Sequence, residues 1–173
     1  MSQETYRPLV HEIFTKVNNA KDKPKKVAVL KQYDTPQLRM VCKAAFDPAI
    51  RFLLPVGDVP FMPNEAPEGT EHTRLEHEAR TLQNYVSLTI GDKTMPANRT
   101  LNTMKREQMF IQLLEGLSEG EARLLIEIKD KVIHRKYKGL NSAVVREAFG
   151  WDENFMPPGV ARGVRKQSRQ VGR

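Results

Sequence analysis

A single cysteine, Cys42, stands among 173 residues. An internal disulfide is therefore excluded, which agrees with a reducing compartment. No apolar run approaches the roughly 20 residues that span a bilayer, and residues 1–25 contain no apolar segment of signal-peptide length. A soluble, cytoplasmic protein without membrane partners is the expectation. The chain also lacks a GxxxxGK[ST] loop, a glycine-rich dinucleotide fingerprint after a strand, and a GxSxG elbow. No catalytic residue or cofactor is assigned, and an enzyme is not the expectation. Histidine is scarce too, with His11, His72, His77 and His134 as the whole set. His77 follows His72 at an offset of five positions, which puts them about 140° apart on a helix. A zinc-type pair needs a spacing of four, so no metal site is assigned. Strand-like alternation is missing except for a weak hint at Ser87 to Ile90.

What is present is helical periodicity. Leu9, Val10, Ile13, Phe14 and Val17 mark one face of a helix over about 7–19, with Pro8 in its first turn. Val27, Leu30 and Tyr33 mark a second short segment opened by Pro24. Thr35-Pro36 and Asp47-Pro48 pair a capping oxygen with a proline of preset φ, so they predict helices from about 36 and 48. Leu38, Val41, Cys42, Ala45 and Phe46 form the inner face of the first, and AIRFLL makes the second. Four prolines between 55 and 69 then impose an extended loop packed across the helices.

Leu75, Ala79, Leu82 and Val86 define the stripe of a long polar helix over 70–86. After a break at 91–98, a helix over 99–115 offers Leu101, Met104, Phe110, Ile111, Leu113 and Leu114 to the core and ends at Gly116. Ser118-Glu119-Gly120-Glu121 has capping-box spacing, opening a helix over 119–130 that buries Ala122, Leu125, Ile126 and Ile128. A last helix, 141–149, stops at Gly150, and Trp151 and Phe155 fold back on the core. The expected fold class is all-α: a compact bundle of six to eight short and medium helices, with a Pro-rich loop at 55–69 and a basic C-terminal tail. Residues 1–158 form one helical domain and 159–173 the tail.

Charge is unevenly placed. GVARGVRKQSRQVGR, the last fifteen residues, holds Arg162, Arg165, Lys166, Arg169 and Arg173 with no acid, which is five of the chain's net seven positive charges. The other 158 residues are nearly neutral. A second basic stretch, KDKVIHRKYK, brings Lys129, Lys131, Arg135, Lys136 and Lys138 together with Tyr137. Cations release counterions from a phosphate backbone and an aromatic stacks on unpaired bases, so both requirements of nucleic-acid binding are met. The plain alternative is a solvated turn. The connector of about ten residues between the flanking helices is too long for a helix-turn-helix, whose turn takes about three or four. Lysines 21, 23, 25, 26 and 31 read as a solvated face.

Four blocks carry a resemblance: LRMVCKAAFDPAIRFLLP, PFMPNEAPEGTEHTRLEHEARTL, KREQMFIQLLEGLSEGEARLLIEIKDK and KYKGLNSAVVREAFGW. In that order they resemble an uncharacterised family of small proteins from T-even-type tailed phages of marine bacteria, over about residues 10–155 and without the tail. The resemblance implies a phage protein acting in the host cytoplasm, and it implies no activity, fold or site residues. The resulting expectation is a non-enzymatic phage accessory protein that binds nucleic acid non-specifically and docks a phage or host protein in replication, recombination or transcription. The alternative is an interaction or minor virion structural protein whose basic tail binds an acidic protein surface.

Overall fold

The computed structural model describes residues 7–64 and 73–159. Three helices open it: α1 (Val10–Asn19), α2 (Lys23–Gln32) and α3 (Pro36–Phe46). Each start is fixed by a polar group meeting an orphan amide. Glu12 Oε1 accepts from Leu9 N at 2.8 Å, Asp22 from Lys25 N at 3.0 Å, and Thr35 from Leu38 N at 3.0 Å. The expected α1 begins three residues late, because Pro8 precedes the helix rather than sitting in its first turn.

The chain is not all-α. Asp47-Pro48 does not cap a helix: the Asp47 carboxylate accepts from Ala49 N at 2.9 Å, a tight turn that releases AIRFLL into strand β1 (Ile50–Phe52). β2 (Val86–Ile90) pairs antiparallel with β1 and with β3 (Lys93–Pro96), giving the sheet order β1-β2-β3. Ile50 faces Leu88, and Leu88 faces Met95. Gly91 takes φ 65° as the first residue of the two-residue β2–β3 turn, the position where such a turn needs glycine. The all-α expectation is thus corrected to a mixed α/β fold, helices with a small antiparallel sheet.

The expected 70–86 helix fails for a related reason. Its stripe is buried, but Ala79–Tyr85 is a 3₁₀ helix, whose period of three puts Ala79, Leu82 and Tyr85 on one face. Val86 then leaves as strand.

Helix α4 (Thr103–Gly116) starts later than expected because Asn102 caps it, accepting from Lys105 N at 2.8 Å. Phe110, Leu113 and Leu114 are buried, while Leu101 and Ile111 are half-buried and Met104 is 71% exposed. Helix α5 (Glu119–Lys129) buries Ala122, Leu125, Ile126 and Ile128, and α6 (Ser142–Phe149) ends at Gly150 with φ 67°. Trp151 and Phe155 do fold back, in a chain of ring contacts with Phe149.

One core unites these parts. Phe14, Leu30, Leu38, Phe110, Leu114 and Leu125 are almost wholly buried, each such side chain contributing roughly 1.5–3 kcal/mol. Tyr85 meets Phe110 edge-on at 5.3 Å, and Phe14 meets Tyr137 at 5.8 Å. A buried acid ties three segments together. Glu121 is 1% exposed, and its two carboxylate oxygens accept from Val10 N and Leu75 N, both at 2.8 Å. Ser118 Oγ caps α5 through Glu121 N at 3.2 Å, as the spacing predicts. The glutamate side chain instead crosses to α1 and to the turn before the 3₁₀ helix. The two helices approach closely there, since a Cβ on Gly120 would lie 2.4 Å from the His11 ring.

Candidate nucleic-acid interface

The stretch 129–138 divides into buried and exposed groups. Lys129 is 4% exposed, and its ammonium donates to Pro55 O at 2.7 Å, Gly57 O at 3.0 Å and Asp130 Oδ1. It fastens the Pro-rich loop to the end of α5. Lys131 adopts φ 60° and donates to the carbonyls of Ala44 and Asp47, closing the C-terminal end of α3. Tyr137 is 2% exposed and packed against Phe14. None of these three presents what a nucleic acid needs: a free cation or an open ring face.

Arg135, Lys136 and Lys138 are the exposed remainder, on and just after a 3₁₀ turn at Ile133–Arg135. Lys136 lies over the Tyr137 ring at 5.6 Å, and no ion pair holds any of the three among the described residues. Behind them Glu127 is half-buried; burial raises its carboxyl pKa, with Lys136 opposing. The tail cations Arg162, Arg165, Lys166, Arg169 and Arg173 lie outside the described residues.

The same sorting applies elsewhere. Lys26, read from sequence as part of a solvated face, donates to Val17 O, Asn18 O and Ala20 O and so closes the end of α1. Arg106 is buried, giving its guanidinium to Asn84 O and Leu101 O. Lys21, Lys23, Lys25 and Lys31 stay exposed, with Lys23 paired to Glu147 at 3.1 Å. Basic residues thus serve two purposes that composition cannot separate.

Sequence reasoning missed a third arrangement. A cavity of about 450 Å³ opens where the end of α3 meets the connector into α6. Arg51 of β1 joins Lys131, His134 and Lys138 in its wall, over apolar Phe46 and Leu140. Arg51 is distant in sequence and lay in a segment expected to be helical, so no spacing signalled it. A cleft of about 460 Å³ lined by Arg7, Arg74, His77 and Arg80 differs in one respect. It contains Glu76, which accepts from both arms of Arg7, at 2.8 and 2.7 Å, and from Thr35. Its charge is largely answered from within. Among the described residues no three potential metal ligands stand together, and no helix is long and apolar enough to cross a membrane.

A family of unknown function, DUF6433, matches residues 13–135. The chain belongs to that family. The DUF6433 match runs from within α1 to the end of the 3₁₀ turn, so Lys136, Lys138, α6 and the tail lie beyond it. No curated protein and no solved structure matches the chain.

Lys131 carries a pH signature of this packing. Burial pushes its ammonium down to about 8 and Arg51 adds to the effect, while Asp47 opposes it. Between pH 8 and 10 the folded chain has released this proton and the unfolded chain still holds it. Unfolding therefore takes up a proton, and this group makes stability rise with pH in that window. Denaturant unfolding of Lys131→Met beside the parent at pH 7.5 and 9.5 should show the parent gaining relative to the variant. Comparing the two cancels the opposing ionisation of Tyr85 and Tyr137, whose pKa values burial raises.

Proposed function

We propose that this chain is a non-enzymatic phage accessory protein that holds nucleic acid through its phosphates, without sequence preference, while the folded body docks a protein partner. One observation carries the reading: Arg135, Lys136 and Lys138 are exposed and unpaired on a short turn, whereas neighbouring Lys129 and Lys131 are committed to backbone carbonyls. Exposed cations held in no ion pair release counterions when they meet phosphate, and contacts to phosphate select no base. The five cations of 159–173 extend the same chemistry. The phage context, and with it a site of action in replication, recombination or transcription within an infected bacterium, rests on the resemblance of the sequence blocks. A place in the virion suits the same tail.

The test is a salt titration of duplexes and single strands of unrelated sequence by fluorescence anisotropy. The reading expects equal affinities across sequences and a linear fall of log affinity with log salt. Absence of binding at about 50 mM salt, or a strong preference for one sequence, contradicts it.

A further inference from the structure

We infer that the cavity between the end of α3 and the start of α6 binds a phosphomonoester carried on a nucleotide, with Arg51 and Lys138 holding the phosphate and Phe46 and Pro48 contacting the nucleoside. The inference rests on the nucleic-acid reading above for its ligand class, and adds a defined site to a diffuse one.

Four observations support it. The first is volume: about 450 Å³ falls within the roughly 300–1,000 Å³ of small-ligand sites. The second is charge. Arg51, Lys131, His134 and Lys138 come from β1 and the connector, and among the described residues no aspartate or glutamate lines the wall. The Lys131 ammonium is tied to the carbonyls of Ala44 and Asp47, but Arg51 and Lys138 are exposed and in no ion pair among the described residues. Third, the same wall carries accessible apolar surface, with Phe46 half-buried and Pro48 exposed. That pairing suits a ligand with one dianionic end and one flat, weakly polar end. Finally, Arg51 lies close enough to Lys131 to disfavour its charged form. Like charges brought together around a hollow cost free energy that an anion relieves.

Two sources supply this chemistry, the 5′ end of a strand and a free nucleotide. The full-length chain is titrated with decathymidylate bearing either a 5′-phosphate or a 5′-hydroxyl, at equal salt. The 5′-phosphate form should bind about tenfold more tightly. Arg51→Gln and Lys138→Gln, both exposed positions whose folding is checked by thermal melt, should each remove most of that difference. Adenosine monophosphate is then added as competitor. If it abolishes the end preference at micromolar concentration, the free nucleotide is the source; if the preference survives, the strand end is. Either result supports the site. Equal affinity for the two oligonucleotides together with no binding of adenosine monophosphate overturns it. So does a preference that both variants leave intact. If salt-dependent binding of the 5′-hydroxyl strand persists in that case, the phosphate-backbone reading stands and only the cavity assignment fails. If that binding is missing as well, both fail.

Discussion

Replacing Glu121 by alanine should cost about 3–5 kcal/mol of folding free energy and lower the melting temperature on the order of 10 °C. Two buried amides, Val10 N and Leu75 N, lose their acceptors at once. One belongs to the first turn of α1 and the other to the turn before the 3₁₀ helix, so a single side chain on α5 holds two distant segments. An unmade bond to a buried donor costs far more than the same bond contributes when both partners have water to return to. Glu121→Gln separates this from packing. The amide keeps the shape but turns one acceptor into a donor that faces a backbone N–H. It should therefore lose most of what alanine loses. A glutamine variant within about 0.5 kcal/mol of the parent would show that the site needs only its volume filled.

Deleting 159–173 should flatten the dependence of log affinity on log salt by about 3–5 units. That deletion removes five cations, and each phosphate neutralised contributes about 0.7 unit on single strands and 0.9 on duplexes. Because the described body ends at Gly159 and its core residues all precede that point, the melting temperature should stay within a few degrees of the parent. An unchanged slope would take the tail out of nucleic-acid binding and leave it for an acidic protein surface. Salt titrations of parent and truncated chain on one oligonucleotide decide between them.

The sequence disclosed most of what depends on apolar spacing and little of what depends on polar groups meeting across the fold. Thr35, Ser118 and Gly150 did what local chemistry assigns them, because a cap or a stop involves only neighbouring residues. Asp47 resembled Thr35 in its proline context, yet its carboxylate turned the chain into β1. Strand pairing with β2 is a contact between residues far apart, and only the glycine at 91 and the hint at Ser87 to Ile90 bore on it. The stripe Leu75, Ala79, Leu82 is buried as the pattern predicts but is not α-helical, since the spacing of three from Ala79 to Leu82 fits a 3₁₀ turn as well and Leu75 lies in the turn before it.

The candidate site shows the same division. Lys129, Tyr137 and Lys138 look alike as members of a basic, aromatic stretch. Burial separates them, and burial depends on the Pro-rich loop and Phe14, neither of which is near in sequence. Arg51 became part of the site through the fold alone.

The central claim is that lysines and arginines in this body fall into structural staples and free phosphate contacts. It is tested most directly by measuring, on one single-stranded oligonucleotide, the salt slope and melting temperature of Lys129→Met beside the triple variant Arg135→Gln, Lys136→Gln, Lys138→Gln. Lys129→Met should lower the melting temperature, since Pro55 O, Gly57 O and Asp130 lose a buried cation, and should leave the slope unchanged. The triple variant should flatten the slope by about 2 units and melt close to the parent. A slope that falls with Lys129→Met but not with the triple variant would contradict the account.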